Sequence, residues 1–203
     1  MKRLVCMLAV LAVVFGASLA AGAVSVEGDA SYLMGFGDNK GQGFAAHAKV
    51  ELMAEVFADA GFSYVTFGEE RTETLLTLGG LYRVASEEDL QIFIGGGYAM
   101  LTLTEKGVAA EENGDDEKGN GIFGKFGFTL IPGPKMTLVA DVGYAPRFKL
   151  NGADDPVSLI TARATLSYEV MENIAVQGTV KHYRAGKDIQ SGVLIGGGVA
   201  ISF

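Results

Sequence analysis

The 203-residue sequence predicts a closed, antiparallel, up-and-down transmembrane β-barrel, most simply of ten strands. Three observations predict it. A two-residue hydrophobic period recurs from residue 26 to the end. Asp, Glu, Lys and Arg fall on one side of that alternation only. The connections between the periodic stretches are alternately short and long. Successive strand side chains point to opposite faces, so this pattern describes a sheet with one apolar and one polar surface. No apolar run after residue 23 reaches the ~20 residues that a membrane-crossing helix needs, which leaves strands as the route through a bilayer.

The periodic stretches cover about 26–36, 44–53, 57–67, 75–84, 90–102, 121–131, 136–148, 159–170, 174–183 and 193–203. In the second, Ala46, Ala48, Val50 and Leu52 alternate with His47, Lys49 and Glu51. In the eighth, Ile160, Ala162, Ala164, Leu166 and Tyr168 alternate with Thr161, Arg163, Thr165, Ser167 and Glu169. An eight-stranded barrel is the alternative, with segments merged around 53–57. The connections 54–56, 85–89, 131–135 and 171–173 are short. Those at 37–43, 68–73, 105–120, 149–156 and 185–190 are longer or more polar. Short turns at one end and long loops at the other suit a barrel whose turn end and two mature termini face the periplasm.

The polar face carries the acids Glu27, Asp29, Glu51, Asp59, Asp141 and Glu169 and the bases Lys49, Arg83, Lys125, Arg147, Arg163 and Lys181. The balance, six against six, together with His47 on the same face, predicts a paired charge network in the lumen. The opposite face has no Asp, Glu, Lys or Arg within these strands; its titratable exception is His182. A soluble barrel would show the same alternation with its apolar face inward, so the period alone does not orient the sheet. The aromatic residues do. Phe36, Phe44, Tyr64, Tyr98, Tyr144 and Phe148 gather at the loop side, and Tyr82, Phe128, Tyr168 and Phe203 at the turn side, as two interfacial girdles would. A charge facing lipid at mid-depth costs ~2–4 kcal/mol, which puts the charged face inside.

Residues 1–23 have the three parts of a secretory signal peptide: basic Lys2 and Arg3, an apolar run, then small residues. Cleavage after Ala20 or after Ala23 fits the small-x-small rule, leaving 24–203 as the barrel. The single cysteine, Cys6, leaves with the leader, which removes disulfides, thiolate metal sites and cysteine catalysis together. The formal charge of −8 becomes −10 without Lys2 and Arg3. That argues against nucleic acid as a partner.

The tail Gly198-Val199-Ala200-Ile201-Ser202-Phe203 resembles the C-terminal signal of small bacterial outer-membrane β-barrel proteins, with alternating apolar residues closed by a terminal Phe. Gly196 stands where that pattern usually has a polar residue. The resemblance implies an outer-membrane location, contact with outer-membrane lipid and lipopolysaccharide, and recognition by the barrel assembly machinery through Gly198, Val199, Ile201 and Phe203. A monomer is favoured.

Candidate chemistry is sparse. His182 resembles the lipid-side histidine of outer-membrane lipid A deacylases, but Arg184 stands where those enzymes have a Ser, so no nucleophile is available. His47 and His182 lie on opposite faces and cannot share a metal. The acidic run Glu111, Glu112, Asp115, Asp116, Glu117 lacks calcium-loop spacing. Gly95-Gly96-Gly97 and Gly196-Gly197-Gly198 precede no helix and are not phosphate loops. No catalytic group, cofactor or metal is expected. Two functions remain: a filled structural or interaction barrel presenting surface loops, and a narrow pore for small solutes. Barrels of about eight strands are just filled by side chains, which favours the first. Lumen glycines at 61, 79, 95, 97, 127, 143, 196 and 198 would leave room and favour the second.

Overall fold

The computed structural model describes residues 25–35, 40–68, 71–105, 117–151, 156–186 and 192–203. The leader, Phe36 and the acidic residues Glu111 to Asp116 lie outside the described residues. The strands are β1 (Val26–Gly35), β2 (Gly41–Met53), β3 (Val56–Phe67), β4 (Arg71–Ser86), β5 (Leu90–Glu105), β6 (Glu117–Gly133), β7 (Met136–Leu150), β8 (Val157–Met171), β9 (Ile174–Ala185) and β10 (Gly192–Ser202). Each pairs antiparallel with its chain neighbours, and β1 pairs with β10 to close the barrel. Closure removes both sheet edges, so the wall exposes no unpaired strand.

Ala54 and Glu55 form a tight turn between β2 and β3, which fixes the count at ten rather than eight. Glu55 and Asn173 both take positive φ, 71° and 66°. Asn tolerates that region; Glu does so less readily. Glu55 is held there from β4: Arg83 N donates to its carbonyl at 2.8 Å, and the Tyr82 hydroxyl donates to Oε2 at 2.8 Å.

β4 to β8 run 15–17 residues. A tilted strand needs only ~9–11 to cross hydrocarbon. The excess lies at the loop end, where the strands continue into stretches that the sequence pattern assigns to loops. Arg71, Thr72 and Glu73 belong to β4, and Glu117 to Asn120 belong to β6. The alternation changes sign there. Toward the turn end the outward face is apolar, with Leu78, Tyr82, Ile94, Tyr98, Phe126, Val142, Tyr144, Tyr168 and Val180 all exposed. One pair beyond Tyr98, past the outward Met100, the outer face of β4 to β6 turns polar. Thr74 faces Thr102 across the β4–β5 pair, and Lys118 follows beside Thr102 on β6. Inside that extension the lumen is mainly apolar, interrupted by the Arg71–Glu73 pair. Leu33, Val65, Leu101, Leu103, Phe148, Leu159 and Leu194 are buried there.

One girdle assignment changes. Phe148 is fully buried in the lumen, while Arg147 is exposed. The register between β7 and β8 shifts between Ala145 and Phe148. A bulge inserts a residue and exchanges the faces beyond it. Phe148 therefore leaves the outer girdle, and Arg147 leaves the lumen face.

The glycines also read differently in three dimensions. A Cβ at Gly97 would strike the Leu78 carbonyl on β4, and one at Gly198 the Ala30 carbonyl on β1. Gly79, Gly95 and Gly196 are similarly occluded by backbone of the neighbouring strand. These residues allow close strand approach on the concave side. At these five positions the missing Cβ is taken up by neighbouring backbone rather than left as open lumen.

Candidate functional site: the lumen

Asp29 on β1, His47 on β2, Asp59 on β3, Lys125 on β6, Asp141 on β7 and Arg163 on β8 meet at one level inside the barrel. Asp29 lies opposite His47 in register, and Asp141 opposite Arg163. His47 Nε2 lies 2.7 Å from Asp59 Oδ1, and Nδ1 lies 3.5 Å from Asp29 Oδ2. Lys125 donates to both Asp59 oxygens, at 3.0 and 2.9 Å, and sits 3.7 Å from Asp141. Arg163 donates through Nε to Asp141 at 2.8 Å and through Nη1 to Asp29 at 3.2 Å. Each carboxylate thus has two basic neighbours, His47 being one of them for Asp29 and Asp59. Such an arrangement offsets the desolvation that an isolated buried charge would suffer, although the net stabilisation of each pair is small.

A hydroxyl and amide chain extends the network. Gln177 Nε2 donates to Asp29 at 3.3 Å and to Ser31 Oγ at 2.7 Å. Ser31 and Thr179 hydroxyls lie 3.1 Å apart, as do those of Thr179 and Thr165.

The other residues on the predicted lumen face lie apart from this centre. Lys49 pairs with Glu27 at 2.8 Å nearer the turn end, over the Phe93 and Phe57 rings at 4.7 and 5.3 Å. Arg83 stands 5.5 Å over Phe57. Glu51 accepts a hydrogen bond from Ser25 at 3.2 Å, and Glu169 is exposed at the turn-end mouth. Lys181 lies inward, opposite Arg163 in register, and forms no ion pair among the described residues. Arg147 joins none of these contacts. The sequence pattern also misses the buried Arg71–Glu73 ion pair in the loop-end extension, since those positions read as loop. Their i, i+2 spacing next to Leu75 was the available signal.

Two cavities flank the network, and Asp29, His47, Lys125, Asp141 and Arg163 line both. One, about 490 Å³, opens at the turn end past Pro134, Lys135, Glu172 and Asn173. The other, about 60 Å³, lies toward the loop end. Beyond it lies the apolar cluster around Leu101, Phe123, Phe148 and Leu159. The charged network is therefore a partition across the barrel with an apolar plug behind it.

Outside, Val199, Ile201 and Phe203 of the tail are exposed on the turn-end rim, while Gly198 faces β1. Phe203 N donates to the Val26 carbonyl at 2.9 Å, with the reciprocal bond also 2.9 Å, so the last residue seals the β1–β10 seam. His182 Nδ1 donates to the Gly192 carbonyl at 3.1 Å, and Arg184 Nε to that of Gly186 at 3.3 Å. His182 is thus engaged with backbone rather than with a nucleophile. Among the described residues no group of three His, Cys, Asp or Glu could hold a metal.

No family model matches the sequence, and no curated protein sequence matches it. Solved structures do. The outer membrane protease OmpT from Escherichia coli superposes with a TM-score of 0.55 at 11% identity, covering 89% of this chain and 97% of that one. A bacterial polysaccharide outer membrane secretin gives 0.51 at 10% identity, over 87% of this chain and 69% of that one. The N-terminal β-barrel domain of Pseudomonas aeruginosa OprF gives 0.42 at 14% identity, over 88% and 97%. At these identities the likeness is one of fold: the chain has the closed-barrel fold found in bacterial outer-membrane proteins.

Proposed function

We propose that this chain is an integral outer-membrane barrel with a lumen closed to solutes, serving as a structural or interaction scaffold that presents its long loops at the cell surface. In this reading both mature termini face the periplasm, the outward belt meets lipid and lipopolysaccharide, the protein is monomeric, and it carries no enzymatic activity. The observation that carries the closed lumen is the stacking of two barriers. The salt-bridged partition crosses the barrel at one level, and the apolar plug lies above it. The location is supported by the belt of exposed apolar side chains, which in water would be an aggregation surface. The tail is proposed as the segment read by the barrel assembly machinery, since Val199, Ile201 and Phe203 all point outward where a partner can reach them.

The test is single-channel recording of the purified protein in a planar bilayer. The expected result is no stable conductance step in the intact protein. Reproducible steps would overturn the closed-lumen reading in favour of a narrow pore.

A further inference from the structure

We infer that the outer wall of β6 to β9 is a binding site for a phosphate-bearing, acylated lipid of the loop-side leaflet. Lys118, Arg147, Lys149 and Arg184 take the phosphate, and a groove in the belt beneath them takes an acyl chain. On the outer-membrane reading, on which this rests, that leaflet faces the cell surface.

Outward charge is unevenly distributed. Along the described strands the outer wall of β1 to β5 and of β10 carries none; its polar positions include Gln42, Thr66, Thr74 and Thr102. The charged or titratable outward side chains lie on β6, β7 and β9, and all are basic. Lys118 is exposed opposite Thr102, and Lys149 is exposed opposite Asn120. Arg147 is exposed beside the register shift in β7, and Arg184 is exposed opposite the outward Ile160. None of these four forms an ion pair among the described residues; Arg184 donates Nε to the Gly186 carbonyl. Glu117, next to Lys118 in the chain, stands opposite the buried Leu103 and so belongs to the inner side. Bases gathered on one wall repel one another and attract an anion.

The belt beneath them is recessed. Ala140, Ala162 and Ala164 floor a groove of about 240 Å³, with Phe126 and Phe128 on one side and Val180 and His182 on the other. Asp141 and Arg163 lie behind it, their side chains committed to the lumen partition. Ala162 stands opposite Val142 and His182; two residues further up β8, Ile160 stands opposite Tyr144 and Arg184. The groove therefore leads along β7 and β8 toward the bases. On β6, Ile122 lies between Phe126 and Lys118 and is 77% exposed, the highest value of the exposed large hydrophobics among the described residues. An apolar slot ending in cations matches a lipid, chain below and phosphate above. Lys and Arg hold phosphate through charge-assisted hydrogen bonds while their stems lie along apolar surface. A second copy of this chain does not match, because a two-fold contact would set bases against bases.

The test uses the intact mature protein folded in detergent. Purified lipid A is titrated in, and native mass spectrometry reads the bound lipid. The expected result is saturable binding whose affinity falls ~5-fold for each of the four bases changed to Gln. Ala162→Leu, which fills the groove with apolar atoms, should weaken binding with all four bases in place. Dephosphorylated lipid A should bind the parent no better than lipid A binds the four-base variant. In phosphatidylcholine vesicles without lipid A, every variant should unfold at the parent's midpoint, which separates lost binding from lost fold. Equal binding of lipid A by the parent and the four-base variant would overturn the proposal. Binding indifferent to Ala162→Leu would overturn it as well, since no chain would then occupy the groove. A four-base variant already destabilised without lipid A would mean that the bases serve acids of this chain, with the same consequence. Failure of the parent to enter vesicles would sink the outer-membrane reading itself, whereas a barrel that inserts but binds no lipid A would sink this site alone.

Discussion

The turn-end belt and the loop-end extension of this barrel share strands but obey opposite solvents. In the belt, Ala162 and Val180 face outward while Arg163 and Lys181 face in. A few residues further along, Thr102 and Lys118 face outward while Leu101 and Leu103 are buried inside. The first arrangement suits hydrocarbon outside, the second water outside. The crossover lies beside Tyr98 and Tyr144, aromatic residues of the amphipathic kind that accumulate at a membrane interface. On the proposed outer-membrane reading, the inversion places the loop-side membrane boundary partway along the strands rather than at their ends. It also explains why the lumen is polar in one half and oily in the other. Where the wall is in lipid, the interior can hold the hydrogen-bonding chemistry. Where the wall is in water, the interior must supply the hydrophobic core.

The comparison breaks first if the plug is not a core. Phe148→Ala removes a fully buried ring from the loop-end cluster. The expected cost is ~3–5 kcal/mol, the range for a buried aromatic truncated to Ala. Denaturant unfolding from lipid vesicles would measure it, and a cost below ~1 kcal/mol would mean the extension is not packed as a soluble-type core. The belt interior should respond differently. Arg163→Ala strands Asp141 and Asp29, at a cost of about 3–5 kcal/mol. The Arg163→Ala, Asp141→Ala double variant should be distinctly milder than the sum of the two single changes. Strict additivity would break the picture of a shared network.

The outer wall gives the next contrast. Ala162→Arg places a charge on the belt face and should cost ~2–4 kcal/mol in vesicle unfolding. Asn120→Arg, on the outward face of the extension, should stay within ~0.5 kcal/mol. Equal penalties at the two sites would move the boundary up to the loop end. Tolerance at Ala162 would put water outside the belt as well.

Much of this was legible in the chain. The ten strands and the direction of each belt residue follow from the two-residue period, because a wall with lipid on one side and charges on the other enforces it at every position. Asp59, Lys125 and Arg163 could be assigned to one face from parity alone. Their meeting at one level could not, since it depends on the stagger between neighbouring strands, which parity does not encode. The extension was misread for a related reason. At Arg71, Thr72 and Glu73 the polar density resembles a loop, yet the alternation persists with its sign changed. The lumen glycines misled through a different route. In the sequence Gly97 is an absent side chain, whereas in the barrel its missing Cβ is occupied by the Leu78 carbonyl.

Arg147 gives the smallest expected effect. Counted from Asp141 by strict alternation, Arg147 points inward, and removing it should then cost as much as removing Arg163. The register shift between Ala145 and Phe148 changes that: Phe148 takes the inward position and Arg147 becomes exposed, away from every ion pair of the partition. Arg147→Ala should therefore alter stability by no more than about 0.5 kcal/mol, the usual range for an exposed position outside any special feature. Measured beside Arg163→Ala in the same vesicles, the pair compares two arginines that the sequence period treats as equivalent. A large loss at Arg147 would show that the bulge is not present in the folded protein, that β7 keeps a single register, and that Phe148 belongs to the outer girdle after all. A loss confined to Arg163 would place the point where inside and outside exchange between Ala145 and Phe148, one strand segment above the Tyr144 boundary.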